Sequence, residues 1–263
     1  MLKKLLKYDL QSIFKLLIIF YSLALFFGVL VRIFFSLEYS LIVDILGQIC
    51  TGAAISMMCS ALINNLMRSW VRFTGNLYGD ESYLSHTLPV KKADHYLSKL
   101  LCGVVTLLTT VVVIAIVLFI GYYSKENLEL VKNMLLPLAE AYDSTILAIL
   151  LSFVIILFLE FLNVLQCGFA GIILGHKLNN NKTAMSVLFG FVVFMLLQCV
   201  LLVILAIIAQ FNNGIMALFS GAPVMTVEGA KTLIIISVCS YSALSVILAV
   251  INTKLFSKGV NVD

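Results

Sequence analysis

Charge is scarce in this sequence. Asp, Glu, Lys and Arg together make up 11% of its 263 residues, against about a quarter in soluble domains. Residues of the hydrophobic class make up 62% and the mean hydropathy is +1.12, which excludes an ordinary water-soluble globule. The motifs of common chemistries are also missing. There is no G-x-x-x-x-G-K-[ST] loop to cradle phosphates with backbone N–H groups, and the nearest approach, Gly175 to Lys182-Thr183, lacks the second glycine and the spacing. No H-E-x-x-H or H-x-x-x-H pair offers converging metal ligands, and no G-x-S-x-G elbow offers a nucleophile. Six cysteines, Cys50, Cys59, Cys102, Cys167, Cys199 and Cys239, occur without a C-x-x-C pair and lie inside apolar runs, where they read as small packing residues. No catalytic, cofactor-binding or metal-binding residue is therefore assigned to this chain, and an enzyme is not expected. Asp80, Glu81, His86, Asp94 and His95 are close in sequence but lack the spacing of a metal site.

What the sequence does have is length of apolar run. Segments at 16–36, 41–67, 97–123, 144–175, 184–211 and 231–256 each reach the roughly 20 residues that a helix needs to cross a bilayer. The runs are continuous and do not alternate with period two, so helices are expected in place of a barrel. The first run lacks a small-residue cleavage site and is expected to stay as a span. The predicted fold is an all-α integral membrane domain over 1–263 with six transmembrane helices.

Orientation follows from the basic residues, which are retained on the cytoplasmic side. Thirteen of the 17 fall on one side of the predicted topology: Lys3, Lys4, Lys7 and Lys15; Arg68, Arg72, Lys91, Lys92 and Lys99; Lys177 and Lys182; Lys254 and Lys258. The other side carries Glu38, Asp44, Glu126, Glu129, Glu140, Asp143 and Glu228 with Arg32, Lys125, Lys132 and Lys231. Both termini are thus expected in the cytoplasm of a cell whose plasma membrane the chain crosses. The formal charge of +4 reflects this asymmetry and attraction to anionic lipid, not nucleic-acid binding.

Residues 1–15 form an amphipathic pattern. Leu2, Leu5, Leu6, Leu10, Ile13 and Phe14 share one side, and Lys3, Lys4, Lys7, Gln11 and Lys15 the other. This suits a helix lying in the headgroup plane, or a first span that begins early with a basic flank. Asp9 falls near the apolar side and fits neither pattern. The external loops are short, and those holding Pro137 and Pro223 suit a re-entrant or surface half-helix.

The longest polar stretch is Gly75 to Leu100, GNLYGDESYLSHTLPVKKADHYLSKL. Gly75 and Gly79 allow turns, Asp80, Glu81 or Ser82 can cap a short helix, and Pro89 ends it. Leu77, Tyr78, Tyr83, Leu84 and Leu88 are many apolar groups for a solvated loop, and they suit a partner surface. Within the spans, Glu160 is the one deep acid, and Asn163, Gln166 and Gln198 extend a polar row near it. Such a row either lines a translocation route or a proton-sensitive site, or bonds helices to one another, in the chain or across a dimer seam. Gly168, Gly171 and Gly175 permit close helix approach within one chain or between two.

The string RFTGNLYGDESYLSHTLPVKKADHYLSKLL resembles the loop after the second span of bacterial ABC-2-type transporter permeases, where "RF…LFGDEGYL…TLPV…LLSKLL" recurs. ILGHKLNNNKTAMSVLFGF is similar to that family's turn between spans four and five. Ser82 stands where the family usually has glycine, and His86 also departs from the pattern. The resemblance implies a permease subunit with a cytoplasmic coupling loop at 75–96. In it Tyr78, Gly79, Asp80, Glu81, Tyr83, Leu84, Thr87, Leu88 and Pro89 would dock on a separate ABC ATPase subunit that binds ATP and Mg. It further implies a second permease chain, identical or different, and export of a lipid, amphipathic peptide or drug. The competing expectation is a transporter or channel that needs no ATPase.

Overall fold

The computed structural model describes residues 2–37, 40–142, 144–178, 181–219 and 227–258. Among them the secondary structure is helical throughout: α1 (Leu2–Ser36), α2 (Leu41–Leu77), α3 (Ser82–Thr87), α4 (Lys92–Tyr122), α5 (Lys125–Ala141), α6 (Ile146–Gly175), α7 (Lys182–Ala209), α8 (Asn213–Phe219) and α9 (Val227–Ser257). Six of these, α1, α2, α4, α6, α7 and α9, are long and apolar enough to cross a membrane. They coincide with the six predicted runs. Pro223, the Asn179–Asn180 pair and the side chain of His86 lie outside the described residues.

The helices of the first half outrun their apolar cores. At 1.5 Å per residue, α1 and α2 are about 50–55 Å long, whereas hydrocarbon is about 30 Å thick. The excess of α1, α2 and α4 lies at the lysine-rich end, since α1 starts at Leu2, α2 continues past 67 to Leu77, and α4 begins at Lys92. Of the two readings of residues 1–15, the helix agrees with the first span beginning early: residues 2–15 continue without interruption into it. Hydropathy marks only the part of a helix that lipid would cover, so it misses polar turns held by other contacts.

The chain divides into two compact units, Met1–Leu128 and Glu129–Val260. In the first, α1 packs on both α2 and α4. Its buried positions are Asp9, Ile13, Leu17, Tyr21, Ala24, Gly28 and Val31. Those intervals of three and four are the seam that knobs-into-holes packing requires. Leu6, Leu10 and Phe14 pack beside Ile13, Leu17, Ala61 and Cys102. The apolar side of the N-terminal helix is thus used on protein, while Lys3, Lys4, Lys7, Gln11 and Lys15 stay exposed. Farther along, a Cβ on Gly28 would lie 3.1 Å from Val117 of α4.

A buried polar cluster that the sequence reading missed fixes the middle of this unit. Tyr21 and Thr110 share a hydrogen bond of 2.6 Å, Asn65 donates to Thr110 Oγ1, and Thr106 donates to Asn65 Oδ1. One group from each of α1 and α2 and two from α4 satisfy each other, which pins the rotation of three helices. Asn65 in an apolar run was its only signal.

In the second unit, α6 packs against α7 and α9. Gly171 and Gly175 are where the backbones meet. A Cβ on Gly171 would sit 2.5 Å from Gly190 N, and one on Gly175 2.5 Å from Ser186 N. The glycine row is therefore occupied inside the chain. By contrast, only 6% of the most apolar window of α9 and 11% of that of α7 is buried by the protein itself, so these faces require hydrocarbon or another chain.

Candidate functional site

Above the end of α2 the chain makes a tight exit. Tyr78 N and Gly79 N both donate to Thr74 O, and a Cβ on Gly79 would lie 3.1 Å from Gly75 O, closer than a side chain usually comes. Gly75 itself is an ordinary helical residue of α2 with open space around it, so of the two glycines only Gly79 serves the turn. Ser82 N then donates to Gly79 O, and α3 runs for six residues. It stops at Thr87 because Leu88 precedes Pro89 and takes an extended conformation (φ −65°, ψ 137°).

The helix has two sides. Ser82 and Ser85 are buried, three positions apart, whereas Tyr83, Leu84, Thr87 and Leu88 face outward. Leu84 is 74% exposed. The five apolar residues singled out in this loop therefore split. Leu77 and Tyr78 belong to the core, Phe73 lying between Tyr78 and Tyr96 with ring centroids 6.2 and 6.3 Å away, and only Tyr83, Leu84 and Leu88 are presented. Burial pushes the Tyr78 hydroxyl well above its ordinary range. Asp80 and Pro89 are exposed beside this surface.

Glu81 occupies the N-cap position without a capping bond, because its carboxylate points elsewhere. Its Oε2 accepts from Arg72 Nη1 at 3.1 Å and from Asn76 Nδ2 at 2.5 Å. Arg72 Nε also donates to Asp9 Oδ1 at 3.2 Å. Lys99 Nζ donates to that same Asp9 oxygen at 2.5 Å and to Asn76 Oδ1 at 2.6 Å, and Ser98 Oγ donates to Asp9 Oδ2 at 3.1 Å. Two acids and two bases thus form a formally neutral network joining α1, α2, the turn before α3, and α4. Asp9, the residue that fitted no pattern, is its hub and only 3% exposed. Beside it a cleft of about 230 Å³ is lined by Ser12, Arg68, Arg72, Asn76 and Glu81 among others.

A buried pair of this kind is costly to desolvate, and breaking it by removing one partner costs about 3–5 kcal/mol. Its consequence here is mechanical. A force on α3 reaches three long helices through bonds and not through a slack loop.

The polar row of α6 lies in the second unit. Gln198 donates to Glu160 Oε1 at 3.1 Å, Asn163 to Tyr241 O at 3.1 Å and Gln166 to Ser245 Oγ at 2.8 Å, while Asn252 donates to Gln166 O. Each member is tied to α7 or α9. Glu160 is half-buried, with Oε2 unpartnered and the Tyr241 hydroxyl close by. Gln198 and Tyr241 also line a cleft of about 120 Å³. Near the C-terminal end of α1, Arg32 donates to Tyr123 O.

Comparison with known proteins adds no identity: no protein-family model, no curated protein and no solved structure matches this chain.

Proposed function

We propose that this chain is a permease subunit of an ATP-driven ABC transporter of the ABC-2 type. It acts with a second permease chain and with separate ATPase subunits that supply ATP and Mg. The observation that carries the reading is α3. It presents Tyr83, Leu84, Thr87 and Leu88 outward and is fastened through Glu81, Arg72 and Asn76 to helices long enough to cross a membrane. An isolated amphipathic turn of six residues has no reason to hold three apolar side chains in water. Docked in a cleft of an ATPase, it would move when the ATPase closes, and the Asp9–Lys99–Arg72 network would carry that movement to α1, α2 and α4 together.

The cargo class is hydrophobic or amphipathic, and the direction is export, because the spans carry few charges and the segments that join them are too short to fold into a substrate-capturing domain. Glu160, Asn163, Gln166 and Gln198 act chiefly in packing α6 against its neighbours, since the Gln198–Glu160 bond joins α6 to α7 and Asn163 and Gln166 bond to α9.

The test is co-expression with a chromosomal neighbour that carries a phosphate loop, followed by affinity purification from the membrane. The ATPase co-purifies with the wild type, and Leu84→Asp and Leu88→Asp abolish this while leaving the permease folded. If no ATPase binds, or if binding ignores both changes, a transporter or channel without an ATPase takes its place.

A further inference from the structure

We infer that α5 is an interfacial helix whose uncovered apolar side rests in the lipid boundary at the end of α4 opposite the charge network. The reasoning begins with its residue pattern. At 100° per residue, Leu128, Leu130, Val131, Met134, Leu135 and Leu138 fall within one half of the helix surface, and Lys125, Glu126, Glu129, Lys132, Asn133 and Glu140 fall within the other. Leu136 is the single large apolar residue on the polar half. Five charges in 17 residues, with a low mean hydropathy, separate this helix from the six that are apolar enough to span.

The protein covers only part of the apolar side. Leu135 and Leu138 pack against the buried cluster of Ala139, Tyr142 and Ile149, which Ala230 and Ile234 also cover. One and two turns earlier the same side is bare, with Leu128 55%, Val131 46% and Met134 76% exposed. Water is a poor cover for such a patch on a helix next to membrane-crossing segments.

Chain length decides what lies against it. Between α4 and α5 stand only Tyr123 and Ser124, and between α5 and α6 only residues 142–145. Extended chain covers at most about 3.6 Å per residue, so the first linker reaches about 10 Å and the second about 18 Å. The helix itself is about 25 Å long. Both neighbours are apolar up to these ends, α4 closing with IAIVLFIGY and α6 opening with ILAILL, so neither projects far into water. An upright α5 would put its far end beyond reach of the return. It must run close to the plane of the boundary, and in that plane the bare side meets acyl chains while the charged side meets water. The polar half carries three acids and two lysines, so apolar burial, and not attraction to anionic headgroups, holds it there.

This inference rests on the six-span reading and not on any ATPase, so it stands or falls apart from the function proposed above. The experiment uses the full chain in phosphatidylcholine vesicles. Trp70 is the sole tryptophan, so Met134→Trp and Glu129→Trp are each made in a Trp70→Phe background. Where that background does not fold, they are made beside Trp70 and read as a difference. With lipid brominated near the headgroup end of the acyl chain, Met134→Trp loses about half its emission or more, and iodide in the water leaves it untouched. Glu129→Trp shows the reverse. Equal access of iodide to both overturns the inference. So does a Met134→Trp signal shielded from both quenchers, which would place protein, such as a second copy of this chain, on that side.

Discussion

Asp9 and Lys99, 90 positions apart in the sequence, meet at 2.5 Å with their side chains 4% and 5% exposed. The pair closes the end of a three-helix unit at which the cationic termini gather.

Asp9→Ala leaves the Lys99 ammonium buried with only Asn76 as acceptor, and is expected to cost about 3–5 kcal/mol. Replacing both members, Asp9→Ala with Lys99→Met, removes the stranded charge and should cost clearly less than the Asp9→Ala and Lys99→Met losses added together. Thermal unfolding midpoints in detergent, arranged as a double-mutant cycle, check this. A double-mutant loss equal to the sum of the two single losses would mean that the pair is not coupled.

The glycine contacts predict a sharp contrast between two Gly→Ala changes. Gly171→Ala drives a methyl to within 2.5 Å of Gly190 N in the facing backbone and should destabilise by about 2 kcal/mol or more. Gly52→Ala, in α2 with nothing within 4 Å, should stabilise by about 0.5–1 kcal/mol, since alanine is the better helix former. Opposite signs in the same unfolding assay are the expected result, and a harmless Gly171→Ala would disprove the packing.

Leu77 and Leu84 sit seven residues apart in one loop motif but differ from 0% to 74% in exposure. Leu77→Ala should cost about 2–5 kcal/mol, and Leu84→Ala should stay within about 0.5 kcal/mol of the wild type. If Leu84→Ala unfolds the protein, α3 is a core element and not a presented one.

Burial raises the Tyr78 pKa in the folded state, so the folded protein keeps the proton that the unfolded chain loses. The stability tied to this group is complete below about pH 10, the ordinary tyrosine value, and falls as pH rises beyond it. Between pH 8 and 10.5 the wild type should therefore lose more stability than Tyr78→Phe. Parallel losses would show that Tyr78 ionises as freely folded as unfolded.

A large part of this architecture is local and hence legible. A run of apolar residues long enough for a bilayer is a property of the run, and all six were found within a few residues of the apolar part of each helix. The short helix before Pro89 was legible because the residue before a proline is disfavoured in the helical conformation. What escaped was what depends on distant partners. Asp9 looked like an error in an amphipathic pattern because its three bonded partners, Arg72, Ser98 and Lys99, lie at least 63 positions away. The row Glu160, Asn163, Gln166 and Gln198 was found, but not which helices it would join.

By itself, then, the sequence determined the class of the protein, its helices and the one polar loop that stands out, because hydropathy and periodicity are carried by neighbouring residues. Only the tertiary structure decided how these are used. It turned the apolar side of α1 onto α2 and α4, and set the Gly171–Gly175 row against α7. It also buried Leu77 and Tyr78 while leaving Tyr83, Leu84 and Leu88 exposed. Burial is a relation between elements, and a side chain of given chemistry meets core, lipid or a partner according to what the fold brings against it.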